Sequence, residues 1–336
     1  AMNDASLLQG LNEMQRAAVL HNGAPLLILA GAGSGKTRVV THKIAHLISQ
    51  GIDPRSILAV TFTNKAANEM RERASELAPA ARDCMIRTFH SFGAWLLRRN
   101  ATEAGLVPEF CIYDDEDQAN LLGTQYSDYS RRELRAMAQA ISRLKDQGFG
   151  PENVPEAIDP VLTEAYQIYQ QQLELIGNAD FGDLVLKPVR LIQENPKVAR
   201  RIHQRFRVIL VDEYQDANRA QFLLLHAIAS PGSYVCVVGD DDQSIYRFRG
   251  AEVRNILDFP DQFADVQVIR LEQNYRSTQA ILELAHAVVS CNASRLGKKL
   301  WTANKGGQRP VVARLADQDE EAEFCLNIIN SSKPGT

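Results

Sequence analysis

The stretch PLLILAGAGSGKTRVV, residues 25–40, decides the fold of this chain. Its apolar run LLIL predicts a short buried strand, and the turn AGAGSG follows directly. A helical pattern then opens at Lys36-Thr37 and ends near Gly51. The order strand, glycine-rich loop, helix is typical of a phosphate-binding loop.

Such a loop must be built from small residues, because its backbone N–H groups have to approach a triphosphate closely. Lys36 is predicted to reach the β- and γ-phosphates, and the Thr37 hydroxyl to ligate Mg²⁺. The pattern G-x-x-x-x-G-K-[ST] is met except at its first position, where Ala30 replaces Gly. The sequence therefore predicts a bound triphosphate together with Mg²⁺. The predicted cofactor-binding residues of the loop are Ala32, Gly33, Ser34, Gly35, Lys36 and Thr37.

Composition excludes several classes of protein. The chain has 336 residues, enough for two or three domains, and its 45% hydrophobic and 23% charged residues are ordinary globular values. The five scattered cysteines form no C-x-x-C pair, and no apolar run approaches the roughly 20 residues that span a bilayer. We therefore expect a soluble, cytoplasmic protein. With a net charge of −4, nucleic-acid binding would need a local basic surface.

Two further strand patterns precede a stretch in which helical patterns replace the alternation of strands and helices. ILAVTF (57–62) reads as a buried strand, and Phe62 lies at its carboxyl end, where open α/β sheets place ligands. Phe62 is either a stacking platform for a base or a core residue. A third strand, 84–88, leads into another helix, and from about residue 92 to 196 helical patterns dominate. This stretch is predicted to be an inserted helical domain.

The strand pattern resumes with VILV (208–211), which ends in Asp212-Glu213. A carboxylate at the exit of a buried strand completes a phosphate-loop site, since Asp212 can hold Mg²⁺ and Glu213 can take a proton from the attacking water. The next strand, 234–238, ends in GDDDQ, where Gln243 can orient water or touch the γ-phosphate. A strand at 266–271 is followed by NYRS and a helix to about residue 289.

Two sequence features, the Gln15 side chain and the segment YRFRG, each allow two interpretations. Asn12 and Gln15 form a capping box, and the Gln15 amide either serves that cap alone or also pairs with an adenine edge. The alternating YRFRG at 246–250 suits single-stranded nucleic acid, with rings for bases and guanidinium groups for phosphates. A solvated loop is the alternative.

Taken in order, the segments AGAGSGKTR, VTFTNKAA, TFHS, VDEYQD, VGDDDQSIYRFRGA and LEQNYRS resemble the Rep/UvrD/PcrA family of superfamily-one DNA helicases. DFGDL at 180–184 resembles a segment of that family's inserted domain. The resemblance implies a RecA-like P-loop NTPase of the α/β class, in which two RecA-like domains clamp ATP and move 3′ to 5′ along single-stranded DNA. The implied partners are single-stranded DNA, junctions of single- and double-stranded DNA, and proteins of repair or replication.

The resemblance also implies roles for individual residues. Gln15 and Arg38 would lie near the adenine, and Tyr275 would stack on it. Gln243 and Arg276 would sense the γ-phosphate. The implied catalytic residues are Lys36, Glu213, Gln243 and Arg276. The implied metal residues are Thr37 and Asp212. The implied DNA-binding residues are Phe62, Tyr246, Phe248 and Arg249.

Together these predictions divide the chain into four segments. Residues 1–91 and 197–269 would form the first RecA-like domain, 92–196 the inserted helical domain, and 270–336 the start of a second RecA-like domain. On this interpretation the chain is a fragment of a longer helicase and is not a motor by itself. The alternatives are the helicase half of a helicase–nuclease and a nucleotide-gated DNA-binding module.

Overall fold

The computed structural model describes residues 4–244, 252, 254–292 and 295–331. Its strands are β1 (Leu26–Ala30), β2 (Ile57–Thr61), β3 (Met85–Thr88), β4 (Ile112–Tyr113), β5 (Ala179–Asp180), β6 (Val208–Val211), β7 (Tyr234–Gly239) and β8 (Gln267–Leu271). Its helices up to β6 are α1 (Asp4–Leu7), α2 (Glu13–Leu20), α3 (Lys36–Ser49), α4 (Asn64–Leu77), α5 (Phe89–Arg99), α6 (Asp115–Gly123), α7 (Arg131–Asp146), α8 (Pro160–Ile176), α9 (Asp183–Glu194) and α10 (Pro196–Arg205). The later helices are α11 (Arg219–Ile228), α12 (Arg254–Leu257), α13 (Phe259–Gln262), α14 (Gln279–Val289) and α15 (Gln318–Ser331).

A six-stranded parallel sheet is the centre of the fold, with the strand order β3-β2-β6-β7-β1-β8. Strands β1, β2, β6 and β7 are buried along their whole length, because helices cover both faces. The predicted α/β class with a parallel sheet is confirmed. All six carboxyl ends meet at one edge, which brings together loops that are far apart in sequence.

The inserted stretch contains two strands that the helical pattern did not predict. β4 and β5 pair in parallel over two residues each, Ile112 with Ala179 and Tyr113 with Asp180. A separate apolar cluster lies within this stretch and includes Leu134, Ile141 and Tyr166. Helices α5, α9 and α10, however, pack in the core of the large sheet. The predicted boundaries at 92 and 196 therefore stay a prediction.

Strand β8 extends the sheet beyond β1. Its residues pair with β1 over the full strand, from Leu26 opposite Gln267 to Ala30 opposite Leu271. The predicted boundary between residues 269 and 270 lies inside this strand. Because β8 leaves the sheet beside β1, the segment that follows it starts next to the phosphate loop.

A buried ionic cluster joins α7 to β5 and α9 within the inserted stretch. The Lys145 ammonium lies 2.6 Å from Asp180 Oδ2 and 2.9 Å from Asp183 Oδ1, and all three side chains are almost fully buried. Tyr169 donates its hydroxyl proton to Asp180 at 2.8 Å, and Gln170 donates to Asp183. Removing one member of such a cluster leaves buried charge without compensation.

We expect Lys145→Met to lower the free energy of unfolding by about 3–5 kcal/mol, because two buried carboxylates lose their counterion. Arg73→Met is the control, since Arg73 pairs with Glu69 on the surface, and its cost should stay below about 1 kcal/mol. Urea unfolding followed by circular dichroism measures both. Equal losses in the two variants would contradict the expected role of the cluster.

Candidate functional site

Three hydrogen bonds from elsewhere in the fold hold carbonyl oxygens of the loop between β1 and α3. Asn274 Nδ2 donates to the Ala32 carbonyl at 2.5 Å, and the Tyr275 N–H donates to the Gly33 carbonyl at 2.9 Å. Gln15 Nε2 donates to the Ser34 carbonyl at 2.9 Å. The donors come from α2 and from the segment after β8, which are far apart in sequence and meet at this loop.

The N–H groups of this loop have a different environment. In the part of the chain that the structure describes, the N–H groups of Ala32, Gly33 and Gly35 donate to no protein acceptor. Those of Lys36 and Thr37 belong to the first turn of α3, which has no intrahelical acceptors. Unpaired N–H groups at a helix N-terminus form an anion-binding site. The loop therefore has the geometry of an anion-binding site, and its binding of phosphate stays a prediction.

Two glycines allow the loop to take this shape. Gly33 has φ +67° and Gly35 has φ +85°, both in the left-handed region that favours glycine. A Cβ atom on Gly33 would lie 2.8 Å from the Asn274 amide nitrogen, and one on Gly35 would lie 2.8 Å from Gln15 Nε2. The same contacts that fix the carbonyls thus exclude any side chain here.

The two predicted halves of the site meet in one ion pair. Lys36 Nζ lies 2.9 Å from Glu213 Oε2, although the residues are far apart in sequence. Gln215 Nε2 donates to the same Glu213 oxygen at 2.8 Å, while its own Oε1 accepts from the Asp240 N–H. Glu213 has φ +51°, a left-handed backbone that is strained for a side chain other than glycine. Strain of this kind is common at functional sites.

Two further carboxylates, those of Asp212 and Asp216, lie near this ion pair. Burial, together with the charge of Glu213, raises the pKa of Asp212 to about 6, although Lys36 acts in the opposite direction. The same causes raise the pKa of Asp216 to about 6, and its Oδ1 is buried without a hydrogen-bond partner among the described residues. The sequence analysis assigned no role to Asp216 or Gln215, although both belong to the VDEYQD segment.

A second charged cluster lies at the end of β7. The Lys298 ammonium lies 2.6 Å from Asp240 Oδ1, 2.6 Å from Asp241 Oδ1 and 2.8 Å from Asp242 Oδ2. Arg295 makes two further bonds to Asp242. The three aspartates have the spacing of a metal site, but a side-chain ammonium already occupies their centre. Gln243 is tied to this cluster, since its amide donates to Asp240.

The residues that the resemblance places at the nucleotide base lie beside the loop. The Gln15 side chain completes the predicted capping box with Asn12 and also contacts Ser34, so it contributes to both helix and loop. Tyr275 is half-exposed, and its hydroxyl accepts from Asn12 Nδ2 at 2.8 Å. Arg38 and Arg276 are exposed, on α3 and after Tyr275 respectively. Their predicted contacts with a nucleotide stay predictions.

Part of the predicted nucleic-acid surface lies on the same sheet edge. Phe62 is partly buried and packs edge-on against Phe89 with ring centroids 5.4 Å apart, so its two interpretations stay open. Phe181, which the sequence analysis did not single out, is 57% exposed and lies 5.2 Å from the His90 ring. Only its place in the DFGDL segment signalled it. The predicted DNA-binding residues Tyr246, Phe248 and Arg249 lie outside the described residues.

The chain matches two family models, which cover consecutive ranges of its residues. The UvrD/REP helicase N-terminal domain matches residues 11–264, and the UvrD-like helicase C-terminal domain matches residues 269–335. The chain belongs to the UvrD/Rep helicase family. This confirms the resemblance drawn from the motifs, and the sheet and phosphate loop are those of a RecA-like UvrD helicase fold.

Curated relatives support the same family. The ATP-dependent DNA helicase PcrA of Leuconostoc citreum is 41% identical over 339 residues, covering 98% of this chain and 45% of the relative. UvrD1 of Mycobacterium tuberculosis (strain ATCC 25618 / H37Rv) is 43% identical over 352 residues, covering 98% of this chain and 46% of the relative. PcrA of Bacillus subtilis is 42% identical over 334 residues, covering 96% of this chain and 45% of the relative. This UvrD/Rep family chain spans about half the length of the curated relatives it matches.

One expectation concerns membranes. Among the described helices of this UvrD/Rep family chain, none combines the length and the apolar character needed to cross a lipid bilayer.

The raised pKa of Asp212 in this UvrD/Rep family chain predicts a stability change. Between its ordinary value of 3.8 and about 6, the folded chain binds more protons than the unfolded chain, so the stability contributed by Asp212 falls as pH rises. Asp212→Asn removes this charge. We expect the variant to be more stable near pH 7, by up to about 3 kcal/mol without divalent cations, and to match the parent chain near pH 4.

Thermal melts across this pH range measure the difference. Asp128→Asn is the control, because Asp128 is exposed. A destabilised Asp212→Asn chain near pH 7 would show that the carboxylate is compensated in the fold and would reject the raised pKa.

Proposed function

We propose that this chain is the ATP-binding part of a DNA helicase that uses Mg-ATP to move 3′ to 5′ along single-stranded DNA and to unwind duplexes. The observation that carries the proposal is the ion pair between Lys36 and Glu213, set in front of the unpaired N–H groups of the loop. It joins the phosphate-binding half of the site to the carboxylate half. The names of the relatives, ATP-dependent DNA helicases, support the same activity.

The residues around this pair fit a magnesium ion. Mg²⁺ prefers hard oxygen ligands and is usually bound by one or two carboxylates plus phosphate oxygens. Thr37 offers a hydroxyl on the first turn of α3, and Asp212 offers a buried carboxylate. The unpaired buried oxygen of Asp216 also supports a cation nearby. When bound, the ion would neutralise charge that develops on the phosphates.

The protein groups divide the remaining work. The loop N–H groups and the Lys36 ammonium bind the phosphate oxygens, and Glu213 accepts a proton from the attacking water. Gln215 positions Glu213, since its amide donates to the same Oε2 that Lys36 contacts. Because Lys36 is held by Glu213 in this structure, binding of a triphosphate would exchange one partner of Lys36 for another. Glu213 would then be freed to hold water.

The proposed motor also needs residues that connect the nucleotide site to the DNA-binding segment. Asp240 connects them, because it accepts from Gln243, donates its N–H to Gln215 and precedes the predicted DNA-binding segment. Gln243 and Arg276 are proposed to sense the γ-phosphate, with Tyr275 stacking on the adenine and Gln15 and Arg38 beside it. Partners would be single-stranded DNA, its junctions with duplex, and repair or replication proteins in the cytoplasm.

We expect Glu213→Gln to keep or increase ATP affinity, because the variant no longer competes as an anion for Lys36. Turnover should fall by about 10²–10⁴, the usual contribution of a general base. Fluorescent-nucleotide binding on this chain and DNA-stimulated ATPase activity of the full-length protein measure the two effects. Glu72→Gln, on the exposed face of α4, is the matched control. Turnover equal to that of the control would reject Glu213 as the base.

A pair of aromatic substitutions separates DNA contact from core packing. Phe181→Ala should weaken oligothymidine binding by about 1–3 kcal/mol per stacked base and leave the melting temperature nearly unchanged, because the ring is exposed. Phe62→Ala should lower the melting temperature, because the ring packs against Phe89. Anisotropy and thermal melts measure both variants. Unchanged DNA affinity in Phe181→Ala would remove this ring from the proposed DNA surface.

A further inference from the structure

A basic surface lies on the edge of the sheet opposite the phosphate loop. Helix α5 starts at the carboxyl end of β3 and runs back to Arg99, and α10 ends at Arg205, just before β6 begins. Both helix ends therefore lie at the amino edge of the strands. The basic surface is formed by six exposed residues. These are Arg98, Arg99, Lys197, Arg200, Arg201 and Arg205.

The charges of the basic surface are not compensated. Among the ion pairs of the described residues, none includes any of the six, whereas Arg131 and Arg135 on α7 share Glu116. Nearby acidic groups are few: Glu103 lines the same groove, and Asp53 pairs with the neighbouring Arg55 at 3.6 Å. In a chain with net charge −4, such a concentration of cations is a local exception.

Like charges approach each other closely here. Partial burial lowers the pKa of Arg205, and the charges of Arg99 and Arg55 lower it further. Repulsion of this kind destabilises the folded chain unless an anion neutralises it. A bound polyanion would relieve it.

Several of these side chains are held in place before any ligand binds. Arg99 and Arg205 lie over the Trp95 ring at 5.2 Å and 5.0 Å from its centroid, and Arg98 lies over Phe110 at 4.6 Å. Stacking fixes the plane of a guanidinium group and leaves its N–H edge available for phosphate oxygens. Less side-chain entropy is then lost on binding.

The shape of the basic surface favours an extended ligand. The groove on it is lined only by polar and charged side chains, unlike the largely apolar pockets that hold small molecules. Lys197, Arg201 and Arg205 follow one another at intervals of four on α10, so they repeat about every 6 Å along the helix. A row of cations at regular spacing suits a chain of phosphates better than a single anion.

We propose that the basic surface binds the phosphate backbone of duplex DNA without regard to sequence. This second contact is separate from the carboxyl edge, where the nucleotide and single-stranded DNA are proposed to bind. The choice of DNA over an acidic polypeptide depends on the proposed function, because a helicase meets duplex DNA. Duplex is favoured over single strand because guanidinium groups cover the rings of Trp95 and Phe110, so neither of these rings is a free stacking platform beside the cations.

The test is the salt dependence of duplex binding by the triple variant Lys197→Gln, Arg200→Gln, Arg205→Gln. Each neutralised phosphate contributes about 0.9 to the slope of log affinity against log salt, so the slope should become shallower by about 2–3. For a fourfold rise in salt, the parent chain should therefore lose about 40-fold more affinity than the variant. Fluorescence anisotropy with a blunt labelled duplex measures the slope.

The matched control replaces Arg131, Arg132 and Arg135 by Gln, which removes the same charge from the exposed start of α7. A slope that changes equally in both variants, or in neither, overturns the proposal. Binding of polyglutamate in place of duplex DNA also overturns it and identifies an acidic protein as the partner. Arg200→Gln alone, at an exposed position, should reduce the slope by about one if the triple variant does not fold.

Oligothymidine binding separates this proposal from the proposed function. If the triple variant loses duplex affinity but keeps oligothymidine affinity, the basic surface is a distinct duplex contact. If the parent chain binds duplex through the basic surface but binds neither oligothymidine nor ATP, the helicase proposal fails while the basic surface stands. If saturating oligothymidine displaces the duplex completely, the two ligands share one site and the basic surface is not a separate contact.

Discussion

Three hydrogen bonds to the carbonyl oxygens of Ala32, Gly33 and Ser34 determine much of this structure. A peptide group whose carbonyl is fixed on one side presents its N–H on the other, so these bonds also orient the donors of the loop. Their own donors belong to α2 and to the segment after β8. The anion-binding surface therefore depends on contacts from two distant segments of the chain, and not on the glycine-rich loop alone.

Charge balance follows from the same geometry. One ammonium, that of Lys36, faces the carboxylates of Glu213, Asp212 and Asp216, so the pocket holds more negative than positive charge. Burial first, and then the charge of Glu213, raises the pKa of both aspartates. A site with this imbalance is suited to a ligand that brings a divalent cation together with its phosphates, and the proposed Mg-ATP meets that requirement.

The sequence predicted the features that depend on short segments. Uninterrupted apolar runs identified the buried strands, and the strand, loop and helix pattern identified the phosphate loop. It did not predict that Gln15 donates to the Ser34 carbonyl, or that Asn274 holds the loop, because those contacts join residues about 20 and 240 positions apart. Strands of two residues, such as β4 and β5, are too short for any periodicity to show. The sequence also left the interpretation of Phe62 open, because the position of a residue at the end of a strand does not determine how deeply its side chain is buried.

The cluster around Lys298 has an asymmetric arrangement, with one ammonium serving three consecutive carboxylates. If any one aspartate were replaced, the ammonium would keep two anionic neighbours and Arg295 would still be close. If Lys298 were replaced, Asp240 and Asp241 would lose their charged partner, and Asp242 alone would keep one, Arg295. Sequence variation should therefore be tolerated far more readily among the individual aspartates than at the lysine. Within the described chain, this makes residue 298 the irreplaceable member of the set, although no strand-end motif would have singled it out.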